Sequence, residues 1–201
     1  PSQPTPRDSK APFSIPTPNP HRYPVMFMKK NEQMRHSARQ RVELEFKWPQ
    51  EPFNIVLVAP SIPPNTGNIS RLCAATGSTL HLVEPLGFDL SEKQLRRAGL
   101  DYWDSVDLRQ YPDLNTFFEQ NPGGRKFFFS TAGQRNYAQV EYAAGDYLVF
   151  GNETTGLPDA LLAAHPDQVY NIPIKLDCVR SLNLSNCAAL VLYEALRQIN
   201  T

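Results

Sequence analysis

Cysteine is scarce in this chain: three in 201 residues, Cys73, Cys178 and Cys187, with no C-x-x-C pair. That argues against a disulfide framework and a cysteine zinc site, and predicts a reducing, cytoplasmic setting. Long apolar runs are missing too. The longest, Ala188 to Tyr193, falls well short of the ~18–20 residues a membrane span needs, so no membrane partner is expected. The first 25 residues lack the apolar stretch of a secretory leader. No G-x-G-x-x-G follows a strand, no G-x-x-x-x-G-K-[ST] appears, and there is no G-x-S-x-G. The usual dinucleotide, phosphate-loop and hydrolase readings lose ground accordingly. His21, His36, His81 and His165 are scattered without ligand spacing, so no metal is expected and the two in the body of the chain read as structural.

Net charge is also absent, with 20 Lys/Arg against 20 Asp/Glu, but the balance is uneven. The first 50 residues hold nine basic against four acidic side chains, leaving eleven against sixteen for the rest. A body with surplus acid is not a non-specific nucleic-acid binder, so any RNA site there has to be local. Ten of the 19 prolines also fall in Pro1 to Pro52. Residues 1–50 therefore read as a Pro-rich, basic and disordered extension, either a solvated tail or an arm that reaches RNA, ahead of a domain at 51–201. The chain opens on Pro1 rather than Met, which leaves a fragment, a processed chain or an internal start at Met26, Met28 or Met34 open.

What the chain does contain, from Phe53 onward, is short β-branched apolar runs alternating with helical patterns. Strands are predicted at Asn54–Ala59, Thr79–Glu84, Lys126–Ser130, Tyr147–Phe150 and Val169–Ile174. Helices are predicted at Thr66–Thr76, Ser91–Ala98, Leu114–Gln120, from Pro158, and at Asn183–Ile199. The class this implies is α/β, a mainly parallel sheet with helices on both faces.

Three strand-end segments carry the chemistry, because open parallel sheets bind ligands at the carboxyl ends of their strands. In the first, IPPNTGNISR, a helix steps Asn65, Asn68 and Arg71 by about −60° each, into one polar stripe. Two amides and a guanidinium near a helix start suit a phosphate; alternatively Asn65 or Thr66 caps the helix and Arg71 is a surface charge. In the second, FGNETTGLP, Gly151 and Gly156 frame a tight loop in which Glu153 either acts chemically or caps backbone N–H groups. In the third, RSLNLSN, Ser181, Asn183 and Ser185 are more capping residues than one helix needs. The helix that follows, CAALVLYEAL, is apolar on nearly every face and predicts a second surface over it, most economically a partner subunit.

Together IPPNTGNISRLCAATG, LVFGNETTGLP and IPIKLDCVRSLNLSNCAALVLYEA resemble the three motifs of SPOUT-class RNA 2′-O-methyltransferases, in order and spacing from about Phe53 to the end. The stretch LRRAGLDYW is similar to the small bacterial branch that methylates the wobble ribose, cytidine or uridine 34, of leucine tRNAs. The resemblance implies a C-terminal trefoil knot, S-adenosylmethionine as cofactor, tRNA as substrate and a homodimer joined through the C-terminal helix. It implies cofactor contacts at Phe129, Thr131, Gly151, Ile172, Ser181 and Leu182, with Arg71 as the catalytic residue. Asn65, Asn68, Glu153 and Asn183 are expected to shape the site. Leu176-Asp-Cys-Val179 is one residue longer than the usual loop. Two other readings stay open: a ribosomal-RNA methyltransferase of the same class, and a catalytically silent RNA-binding factor on this fold.

Overall fold

The structure is a computed structural model that describes residues 44–88, 106–175 and 178–201. The expected extension up to residue 43, the helix expected at Ser91–Ala98, and Leu176 and Asp177 of the longer loop lie outside those residues.

Seven strands form one sheet, and every pairing in it is parallel. In chain order the elements are β1 (Asn54–Val58), α1 (Pro63–Thr76), β2 (Thr79–Val83), β3 (Leu108–Tyr111), α2 (Leu114–Gln120) and β4 (Lys126–Phe129). There follow β5 (Arg135–Asn136), β6 (Tyr147–Phe150), α3 (Asp159–Ala164), β7 (Val169–Asn171) and α4 (Leu184–Ile199). Across the sheet the order is β3-β2-β1-β6-β4-β7-β5. The chain runs outward from β1 to β3, then starts the other wing with β4 and β5; β6 enters between β1 and β4, and β7 last, between β4 and β5. This reversal creates a crevice above the carboxyl ends of β1, β6 and β4.

After Asn54 the strand β1 is apolar throughout, which follows from cover on both faces. Ile55 and Leu57 join Ile69 and Cys73 of α1 and Leu184, Ala188, Val191, Leu192, Ala195 and Leu196 of α4 in one cluster. Val56 and Val58 face the opposite way, toward Phe117 of α2 and partly buried Leu161 and Leu162 of α3. Helices thus lie on both faces, as the sequence predicts. Among the described residues no helix is long and apolar enough to cross a membrane.

Several boundaries differ from expectation for local reasons. Helix α1 begins at Pro63, not Thr66, because two prolines pre-set φ in its first turn. Ile62 holds the cap position with no side-chain bond, so neither Asn65 nor Thr66 caps the helix. At its other end Gly77 adopts φ 68, and its N–H bonds to the Cys73 carbonyl. Strand β1 stops at Val58 because Ala59 turns to φ 51. Pro158 is the cap of α3 with an extended ψ of 134, rather than its first helical residue. Strand β7 ends at Asn171, short of Ile174; Pro173 has no N–H to continue a ladder. Strands β3 and β5 were not anticipated. The first has little apolar alternation (LRQY) and the second is two residues long. Both are edges, where burial imposes no pattern on the sequence.

Candidate active site

The turn after β1 is where the three sequence segments meet. The left-handed Ala59 turns its carbonyl to accept from Asn152 Nδ2 at 2.7 Å. Two residues on, Ser61 donates through N (2.9 Å) and Oγ (3.0 Å) to one carboxylate oxygen of Glu153. The other oxygen accepts from Ile62 N at 3.2 Å and Asn65 Nδ2 at 3.0 Å. Asn65 Oδ1 in turn accepts from Asn183 Nδ2 at 2.9 Å, and Asn183 Oδ1 caps α4 through Ser185 N at 2.9 Å. One hydrogen-bonded chain, Glu153–Asn65–Asn183, therefore ties the second segment to the first and the first to the third. Partial burial pushes the Glu153 carboxyl up, but donors from Ser61, Asn65 and the loop backbone outweigh it and hold it below the usual carboxylate range. Glu153 is ionised and occupied on both oxygens. That suits a clamp better than a general base.

This geometry corrects one expectation. The anion at the start of α1 is not a phosphate cradled by Asn65, Asn68 and Arg71; the Glu153 carboxylate already fills that end of the helix. The stripe also divides. Asn65 is buried and faces the join, whereas Asn68 and Arg71 are exposed on the same helix.

Beside the join, at the carboxyl ends of the strands, opens a cavity of about 590 Å³. Phe129 and Thr131 line it from the end of β4, Gly151 and Glu153 from the loop after β6, and Ile172 from the end of β7. Ser181, Leu182 and Asn183 close it ahead of α4, and Asn65 reaches it from α1. Nine of the expected site residues thus share one cavity wall, while Asn68 and Arg71 are not part of it. Asn152, Leu157 and Arg180 also line it and were not singled out. Asn152 stood between two residues that were, and its amide in a glycine-framed loop was the available signal.

Gly151 is needed for a nearer reason than approach to a ligand. A Cβ there would collide with the backbone of Gly156 and Leu157, because the loop doubles back on itself. Asn152 and Gly156 close it with reciprocal backbone bonds of 3.1 and 2.9 Å, and Gly156 sits at φ 73.

The cavity has the size and make-up of a small-molecule site, apolar walls with a few convergent polar groups. Phe129, Leu157, Ile172 and Leu182 offer flat and aliphatic surface, and Thr131, Asn152 and Ser181 offer hydroxyl and amide groups. That lining fits a nucleoside carrying an amino-acid tail. The sequence profile of the SpoU rRNA Methylase family matches residues 52–193, the whole of this architecture up to the middle of α4.

The chain belongs to the SpoU methylase family.

With the family comes the C-terminal trefoil knot of the SPOUT class, one of the rare true knots among protein folds, and dependence on S-adenosylmethionine. The chain is 50% identical over 149 residues to the tRNA (cytidine(34)-2′-O)-methyltransferase of Burkholderia cenocepacia, covering 73% of this chain and 95% of that one. A solved structure concerned with 2-OH methylation of C/U34 on tRNA is 44% identical, with a TM-score of 0.69 over 74% of this chain and 97% of that one. The S-adenosylmethionine-bound rRNA methyltransferase of Sinorhizobium meliloti is 25% identical, with a TM-score of 0.66 over 79% and 63%. For this SpoU chain the matched part begins at residue 52, two residues ahead of β1.

Proposed function

We propose that this chain is an S-adenosylmethionine-dependent tRNA 2′-O-methyltransferase acting in the cytoplasm on the cytidine or uridine ribose at position 34 of leucine tRNAs. The observation that carries the reading is the Glu153–Asn65–Asn183 chain, which draws all three methyltransferase-like segments onto one strand-end cavity. The naming of a half-identical relative for cytidine 34 supports the position, and LRRAGLDYW supports the leucine tRNAs. Scarce cysteine supports the compartment.

When bound, S-adenosylmethionine supplies an activated methyl group, so the chain has to align the ribose and manage its hydroxyl proton. Phe129, Ile172 and Leu182 would hold the cofactor, and Thr131, Gly151 and Ser181 would orient it, largely through backbone groups. Glu153 and Asn183 keep the two loops in register through Asn65. Arg71 is the catalytic residue. It lies six positions beyond Asn65, about 9 Å along α1, and is exposed, as is Asn68 about one turn before it. Its guanidinium stabilises the developing alkoxide beside a phosphate; if its surroundings oppose its charge, the neutral guanidine instead accepts the hydroxyl proton.

We also infer a homodimer through α4, by the part of its apolar surface that the chain's own fold leaves uncovered. Leu184, Val191, Leu192 and Leu196 are consumed by the chain's own core. Leu190 and Tyr193, 44% and 52% exposed, are the apolar residues on the outer face. A sedimenting dimer at micromolar concentration is expected, with more than ~1,000 Å² buried; a monomer removes the inference.

The test of function is to map 2′-O-methyl groups on tRNA and ribosomal RNA from a deletion strain. Loss at position 34 of leucine tRNAs is expected, and restoration by the wild-type chain but not by Arg71→Ala. In vitro Arg71→Ala should keep its melting temperature and S-adenosylhomocysteine affinity while losing a hundredfold or more in methyl transfer, roughly 2.7 kcal/mol of transition-state stabilisation. Near-wild-type transfer by Arg71→Ala overturns its assignment, and loss from ribosomal RNA instead moves the substrate there.

A further inference from the structure

Most arginines among the described residues are committed. Arg109 bonds Asp107 at 3.0 Å, Arg125 takes Asp146 with two nitrogens at 2.9 and 2.7 Å, Arg135 holds Asp167 at 2.9 Å, and Arg197 pairs with Glu194 at 2.8 Å. Arg180 differs. It is exposed and lines the cavity immediately before Ser181 and Leu182, yet no hydrogen bond or ion pair joins it to any described residue. Among the described residues it is the one cation in the cavity wall, against two carboxylates, Glu153 and Asp159. Glu153 cannot serve as its partner without giving up one of four donors already in place.

A cavity whose fixed carboxylates outnumber its cations should repel an anionic ligand. A guanidinium, always charged and planar, relieves that repulsion and offers a fork that matches a pair of oxygens on a carboxylate or phosphate. We propose that Arg180 is the anion-recognising residue of this site, binding an anionic oxygen group at the cavity wall. Resting on the functional reading above, two sources of that group are at hand: the carboxylate of the cofactor's amino-acid tail and a phosphodiester next to the target ribose. Both present the same chemistry to the fork, and the two can be told apart.

The experiment is titration calorimetry of wild type and Arg180→Ala with three probes: S-adenosylhomocysteine, 5′-methylthioadenosine, which keeps the nucleoside but lacks the carboxylate, and a leucine tRNA transcript. If the fork takes the tail carboxylate, Arg180→Ala weakens S-adenosylhomocysteine about tenfold or more, as loss of a charge-assisted hydrogen bond does, and leaves 5′-methylthioadenosine within twofold. If it takes the phosphate, both nucleosides bind as before. The tRNA then weakens about tenfold, and the slope of log affinity against log salt falls by about one. In either case Arg180→Lys restores part of the loss and the melting temperature stays unchanged, since the side chain is exposed. Equal weakening of both nucleosides, or no change with any probe, overturns the proposal. A wild-type protein that binds neither nucleoside instead overturns the methyltransferase reading on which it rests.

Discussion

Two polar networks run through this sheet, and they are built on opposite plans. One is centred on His81 of β2, which is fully buried. Asn54 Nδ2 donates to the Gly145 and Pro52 carbonyls at 3.0 and 3.4 Å, so its Oδ1 accepts from His81 Nε2 at 3.0 Å. That assigns the ring proton to Nε2 and leaves Nδ1 to accept the Tyr111 hydroxyl at 2.9 Å. Tyr111 Oη accepts from Asn121 Nδ2, and Asn121 Oδ1 from the Tyr147 hydroxyl, both at 3.2 Å. Tyr111, Phe117 and Tyr147 enclose the imidazole with ring centroids 5.5–5.8 Å away. Each member of this chain is neutral. The other network is the Glu153 clamp, which holds a charge, is partly exposed and opens on the cavity.

The difference teaches what each is for. A neutral, closed network inside the core contributes to stability and uniqueness, and loses much if one member is removed. A charged clamp at the edge of a cavity contributes less to the fold, but it fixes where two loops lie relative to each other. Holding site loops within fractions of an ångström is what aligned chemistry requires.

Of the two networks, breaking the clamp is expected to have the larger effect on activity. Glu153→Ala leaves Ser61, Ile62 and Asn65 donors without their acceptor and frees the second segment from the first. Methyl transfer should fall by about a hundredfold, ~2.7 kcal/mol, with S-adenosylhomocysteine affinity falling too, while thermal unfolding stays cooperative. Activity within a fewfold of wild type would mean the clamp is dispensable. The comparison sharpens with His81→Leu, which should do the reverse. Asn54 Oδ1 and the Tyr111 hydroxyl lose their partner, at a cost of roughly 3 kcal/mol in unfolding free energy. At a temperature where both proteins are folded, kcat should be near wild type. A selective loss of kcat in His81→Leu would abolish the division of labour.

The smallest effect is in pH. Burial lowers the His81 pKa from 6.5 to about 4, helped by Arg109 and opposed by Asp107. A histidine depressed on folding stabilises the native state fully above its unfolded pKa, and that contribution shrinks as pH falls from about 6.5 toward 4. Denaturant titrations should show that slope in wild type and not in His81→Leu. Glu153 is likewise lowered from 4.5, so its contribution persists above that value and is lost only at lower pH. A wild-type stability flat between pH 6.5 and 4.5 would place the His81 ring in water rather than in the core.

Much of this architecture could be read without coordinates. Tyr147–Phe150 and Leu114–Gln120 fall where their patterns predict, because a strand covered on both faces has to be apolar throughout and a short helix carries its own cap, here Asp113. The three ligand segments were legible as excesses of amides, hydroxyls and glycines at strand ends, beyond what capping needs. The edge strands β3 and β5 were not, since neither is covered enough for burial to select its residues.

What the sequence determined by itself, then, is the alternation of buried strands and helices and the identity of the segments that gather at their carboxyl ends. Only the tertiary structure decided how those segments are used. A local pattern can say that α1 offers an anion site at its start, but the anion that fills it is Glu153, more than 90 residues further along the chain. It can say that α4 is apolar nearly all round, but only the packing of α1 and β6 against it consumes Leu184, Val191, Leu192 and Leu196 and leaves Leu190 and Tyr193 outside. The reason is the same in both cases. Composition and period are properties of neighbours along the chain, whereas the partner that satisfies a charge or covers a face is chosen by the path of the chain through space.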